Sequence, residues 1–129
     1  MIAVPRVVCL VGFGVYALAL FIATHWPRLA IDSPIRGTDK IIHVGVFFVW
    51  TLLLAAAVRH RRLRLRTIGL IACGYAALDE GLQAIPALGR TCSWWDLAAN
   101  LVGIAAALGV LALCGWKRGA NIDDQKSRP

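Results

Sequence analysis

Residues 79–100 read DEGLQAIPALGRTCSWWDLAAN, from Asp79 to Asn100, and this stretch decides the fold. Two adjacent carboxylates, Asp79 and Glu80, sit inside the apolar run 67–85; Pro86 to Gly89 turn the chain; Arg90 follows; and a second apolar run opens through Asp96 and Asn100. A charged side chain at the centre of a membrane helix costs about 2.5–3.5 kcal/mol on insertion scales, so such a pair needs partners, a wet cavity or a proton. Asp79 and Glu80 therefore mark a candidate site.

Composition names the solvent. In 129 residues, 59% are hydrophobic and only 16% charged, more apolar surface than a soluble domain of this length can hide. The net charge of +7 raises nucleic acid as a partner, but the basic residues crowd into connections between apolar runs and no aromatic residues are interleaved with them. That distribution is a topology signal and argues against nucleic acid. No CxxC spacing occurs; Cys9, Cys73 and Cys114 fall inside apolar runs and read as small buried hydrophobes, while Cys92 falls in a loop.

Four apolar runs follow in order. The first, 7–24, spans roughly 27 Å as a helix, enough to cross a hydrocarbon core. A cleaved signal peptide competes for it, with Arg6 as its basic start and Ala17-Leu18-Ala19 as the cleavage site, although Leu20 to Ala23 continue the run beyond that point. Pro27, Pro34 and Gly37 punctuate the polar connection 26–40, and Thr38 or Asp39 stands where the N-cap of a second helix, 41–58, belongs. His43 lies one turn after Asp39, on the same face. RHRRLRLR, 59–66, is read by the positive-inside rule as a cytoplasmic loop.

The third run, 67–85, leads away from that loop and aligns Tyr75, Asp79 and Gln83 at i, i+4. Trp94 and Trp95 join Trp26 in an aromatic belt at the outer interface, with Trp116 marking the inner one. Ser93 and Asp96 have the spacing of a capping box for the fourth run. Below Asn100, the stripe Ala99, Gly103 and Ala107 allows another helix to approach closely. There is no internal repeat and no second domain.

The expected fold is therefore all-α: residues 1–116 form a four-helix transmembrane domain in the inner (plasma) membrane with both termini cytoplasmic, and 117–129 form a polar cytoplasmic tail. In that arrangement Asp39, Lys40, His43, Asp79, Glu80, Gln83, Arg90, Asp96 and Asn100 all fall in the outer leaflet, as one polar pocket. The inner halves, 45–58, 67–78 and 101–116, carry no charged side chain, which disfavours a pore or proton relay.

The pocket's chemistry follows from its side chains. His43 beside a carboxylate is a candidate general base or nucleophile. Asp79 and Glu80, as neighbours, resist simultaneous ionisation, which leaves one able to act as an acid. Lys40 and Arg90 suit a phosphate, with Gln83, Asp39, Asp96 and Asn100 as further binding groups. Oxygen ligands plus a histidine would also suit a divalent metal. The expected partner is a membrane lipid or lipid-linked precursor with a phosphate-bearing head group.

Asp39-Lys40-x-x-His43, Asp79-Glu80-x-x-Gln83, Gly89-Arg90 and Asp96-x-x-x-Asn100-x-x-Gly103, in that order, resemble the VanZ-like family of small bacterial membrane proteins over about 26–109. The resemblance implies a four-helix membrane domain with these residues as its shared functional set. It also implies either action on a phospholipid or polyprenol-linked phosphate, or a non-catalytic lipid- or glycopeptide-binding role in antibiotic resistance. Phe47 and Phe48 stand where family members often carry a tyrosine, and Ala84 to Leu88 lack the usual aromatic residue before the proline.

Overall fold

A computed structural model describes residues 5–25, 37–61, 63–85 and 93–116. They form four α-helices, with no strand among them: α1 (Arg6–His25), α2 (Thr38–Val58), α3 (Leu65–Gln83) and α4 (Trp94–Leu113), with a short 3₁₀ turn, Arg59–Arg61, after α2. Each helix lies within two or three residues of an expected apolar run. The carbonyl of Pro5 accepts the first bonds of α1, from Val8 at 3.0 Å and Cys9 at 3.3 Å. A proline placed just ahead of a helix costs no hydrogen bond, because the first N–H groups have no intrahelical partner anyway.

Side-chain contacts fix the directions of the helices. The end of α1 touches the end of α3 through Thr24 and Asp79, and the start of α2 touches the start of α4 through Lys40 with Asp96 and His43 with Asn100. Those four ends form one pole of the bundle. The opposite pole is held by Trp116, whose Nε1 donates to the Leu63 carbonyl at 3.0 Å. Gly115, at φ 70, lets the chain leave α4 in a Schellman turn: its N–H bonds the Ala112 carbonyl at 3.1 Å and that of Trp116 bonds Leu111 at 3.0 Å.

Three of the helices, α1, α2 and α4, are long and apolar enough to cross a membrane. The reason α3 is not among them is the polar pair it carries. Its neighbours hide that pair: Asp79, Glu80 and Gln83 are each only 2% exposed. By contrast, α1 buries Leu20 alone and turns Val7, Val8, Val11, Val15 and Leu18 outward. An apolar face that is open at this scale matches lipid, where burying it against protein gains little.

The closest helix contact is between α2 and α4. A Cβ on Gly103 would lie 2.2 Å from the Val44 carbonyl oxygen, so only glycine permits the backbones to meet there. Ala99 and Ala107, both buried, continue the stripe. Beneath the polar pole, Trp50 stacks on Tyr75 with ring centroids 4.7 Å apart, and Phe13 meets Trp50 edge-on at 5.2 Å.

Two local expectations change. The N-cap of α2 is Gly37, in the left-handed region at φ 88, and α2 begins at Thr38, so neither Thr38 nor Asp39 caps it. The free thiols Cys9 and Cys73 are half-buried and Cys114 is exposed, because each falls on a helix face that no neighbour covers fully. Cys92 lies outside the described residues.

Candidate functional site

The polar pole is assembled from all four helices. On α3, Asp79 is held from two sides: the Thr24 hydroxyl donates to Oδ1 at 2.8 Å and the Gln83 amide to Oδ2 at 3.2 Å. The second bond is the i, i+4 pairing expected from the sequence. His25 Nδ1 lies 3.8 Å from Oδ1.

Glu80, one residue on, faces α4. Its Oε1 accepts the backbone N–H of Ser93 at 2.5 Å. Ser93 is the N-cap of α4, as expected, but its side chain makes no capping bond. In a capping box the third residue of the helix would reach back to that N–H. Here Glu80 takes that position from another helix, and Asp96 is released for other partners.

Those partners are on α2. Lys40 Nζ pairs with Asp96 and, at 2.8 Å, with Asp39. His43 donates from Nδ1 to Asn100 Oδ1 at 2.9 Å, and its Nε2 lies 4.0 Å from Asp96 Oδ2. The carboxylate beside His43 is therefore Asp96 rather than Asp39. Asp39, one turn away on the same helix, turns to Lys40 and solvent, half-exposed.

Three buried polar atoms of this pole have no hydrogen-bond partner among the described residues, His25 Nε2, Glu80 Oε2 and Asn100 Nδ2, and two more, Trp50 Nε1 and Tyr75 OH, belong to the aromatic stack beneath it. In a folded interior such atoms are normally satisfied by protein groups, ordered water or a ligand, so the three at this pole are positions where a water or a bound molecule would be held. They include a donor, the Asn100 amide, and acceptors, the Glu80 carboxylate and an imidazole nitrogen.

Eight of the nine expected site residues thus lie at one pole: Asp39, Lys40, His43, Asp79, Glu80, Gln83, Asp96 and Asn100. Arg90 lies outside the described residues. Two contributors were not expected, Thr24 and His25, which close the first apolar run. A hydroxyl and an imidazole at the end of a span were a usable signal, but nothing in the spacing of α1 told which helix it would meet.

Among the described residues, no three His, Cys, Asp or Glu side chains gather in a way that would hold a metal ion. The described residues by themselves therefore do not make a divalent-cation site. No family model, curated protein or solved structure matches the chain.

Proposed function

We propose that this chain is an integral membrane protein, related to the VanZ-like family, whose four helices cross the membrane and whose polar pole acts on a phosphate-bearing lipid or polyprenol-linked head group at the outer face. The single observation behind this reading is the buried polar set. Asp79, Glu80, Gln83 and Asn100 are 0–2% exposed, in a bundle whose other described buried side chains are apolar but for Thr51. Keeping two carboxylates and two amides inside such a bundle costs stability, and a ligand-binding role accounts for their retention.

Structural glue is the competing account, since interhelical hydrogen bonds in membranes are worth about 0.6 kcal/mol on average. Glue alone leaves the unpartnered Glu80 Oε2 and Asn100 Nδ2 unexplained. Exposed Trp94 and Trp95 at the same pole, at 81% and 77%, support a depth near the interface, where aromatic belts lie. Arg59, Arg61, Arg64 and Arg66 at the opposite pole support an outward orientation of this one.

Chemically, the pole offers an imidazole held in one orientation by an amide, two buried carboxyl groups that face different helices, and a lysine. These can take a proton from a hydroxyl and return one to a leaving oxygen. Lys40 is already shared between Asp39 and Asp96, which leaves the third of its N–H donors for a phosphate. Lipid mass spectrometry on membranes bearing wild type, His43→Ala or Asp79→Asn tests the proposal. A lipid species that changes with wild type and reverts in both variants is expected; identical profiles in all three count against it.

A further inference from the structure

The hydrogen bonds of His25 determine which of its nitrogens can react. Its Nδ1 lies 2.9 Å from the Phe21 carbonyl oxygen and 3.0 Å from the Thr24 hydroxyl. A carbonyl oxygen only accepts, so Nδ1 carries the proton and the neutral ring has its lone pair on Nε2. The Thr24 oxygen has one hydrogen, and the Asp79 carboxylate, 2.8 Å away, is its nearest acceptor. The one Nδ1 hydrogen is therefore shared between the Phe21 carbonyl and the Thr24 oxygen, and Thr24 donates its own hydrogen to Asp79. Phe21 stacks on the imidazole at 4.2 Å and holds the ring in plane. The lone-pair nitrogen, Nε2, is buried and has no partner among the described residues.

His43 is placed differently. Its Nδ1 is taken by Asn100 and its Nε2 faces Asp96, which is already engaged by Lys40. Both rings carry the proton on Nδ1; they differ in that the lone-pair Nε2 of His43 faces a carboxylate, while that of His25 has no partner among the described residues.

We infer that His25, positioned by Phe21 and by the Thr24–Asp79 pair, is the base that accepts a proton from a substrate hydroxyl or water at this pole. The inference rests on the head-group function proposed above. In the step, the hydroxyl O–H breaks, the proton moves to Nε2, and the oxygen keeps the electron pair. The resulting imidazolium keeps its Nδ1–H on Phe21 and Thr24, with the Asp79 carboxylate within 3.8 Å to balance its charge. Thr24 and Asp79 are positioning residues in this step; His25 alone touches the reacting hydroxyl.

Two measurements test it. Histidine ¹⁵N spectra of the wild-type protein in nanodiscs, assigned by single substitutions, are expected to show His25 in its Nδ1–H form, whereas free imidazole side chains in water favour Nε2–H. In the membrane lipid assay, His25→Gln is expected to lower conversion at least about 100-fold, within the usual range for loss of a general base. Thr24→Val lowers it less and Thr24→Ser restores it. A purely structural His25 would instead lose conversion in step with melting temperature. Conversion in ¹⁸O water separates the proton donors: label in the product identifies water, and its absence a lipid hydroxyl.

The assignment is overturned by an Nε2–H tautomer at His25, or by His25→Gln converting lipid like wild type while His43→Ala does not. A wild type that changes no lipid overturns the function itself, and the tautomer still reports on the geometry separately.

Discussion

Glu80 on α3 accepts the backbone N–H of Ser93, the residue that opens α4, across thirteen positions of sequence. The first N–H groups of a helix have no partner within it, and in lipid or a dry interface each needs one. A carboxylate at that position also meets the positive end of the helix dipole. Through this bond α3 fixes where α4 begins, and with it the height of Asp96 and Asn100 on the pole.

Replacing Glu80 tests that linkage. Glu80→Ala leaves the Ser93 N–H orphaned and is expected to cost about 1–3 kcal/mol, whereas Glu80→Gln keeps an acceptor and costs less. Amide exchange at Trp94 to Asp96 is the local readout; it quickens in the alanine variant only. Equal protection in both variants would show that the bond does not hold the start of α4.

The contact at Gly103 gives an outcome of a different kind. A Cβ there meets the Val44 carbonyl and, at 3.0 Å, the Phe48 nitrogen, both backbone atoms that cannot step aside. At Gly69 the obstacle, 2.9 Å away, is Leu108 Cδ1, the far end of a flexible side chain. Gly103→Ala is therefore expected to destabilise by about 1–3 kcal/mol or to push α2 and α4 apart, and Gly69→Ala to cost visibly less. Thermal melts of the two variants in the same detergent rank them; the reverse order would mean that α2 and α4 do not cross at Gly103.

These two cases show where the sequence was legible. The Ala99-Gly103-Ala107 stripe announced a close helix contact, since small residues at i, i+4 have no other common use in an apolar run. Four apolar runs gave four helices, and their short connections gave their alternating directions. Helix rotation was not legible: it decides that Asp96 rather than Asp39 meets His43, and that Asp39 spends itself on Lys40. Nor was the docking of α1, whose apolar residues surround it on every side and mark no inner face. Thr24 and His25 join the site through that docking alone, and the Glu80–Ser93 bond uses a backbone group that no side-chain pattern records.

Lys40 should couple unequally to its two carboxylates. Asp96 is mostly buried against α2, with its side chain 16% exposed, while Asp39 is 51% exposed and shares its neighbour's helix turn. Solvent screens an exposed pair nearly to nothing. A double-mutant cycle between Lys40 and Asp96, read as unfolding free energy in micelles, is expected to give a coupling of about 1 kcal/mol after screening. The cycle with Asp39 gives the smaller value. Comparable couplings would place Lys40 in solvent and free it to meet a phosphate directly.

The topology has its own test, independent of any chemistry. The described arginines outside the first helix, Arg59, Arg61, Arg64 and Arg66, lie at the pole opposite Asp79 and Glu80, and arginine-rich connections stay on the cytoplasmic side. Ile85 follows α3 at the polar pole and is 46% exposed, so the residues flanking α3 sit on opposite sides if that helix crosses. In a background with its cysteines replaced by serine or alanine, Arg61→Cys is expected to react with a membrane-impermeant maleimide only after the cells are opened. Ile85→Cys reacts in intact cells. The comparison bears on α3 above all, because its two carboxylates leave it too polar to be recognised as a span alone, and only burial by α1, α2 and α4 makes crossing affordable. Labelling of both positions from one side would leave three crossing helices, with α3 lying along the surface and Asp79 turned away from the lipid.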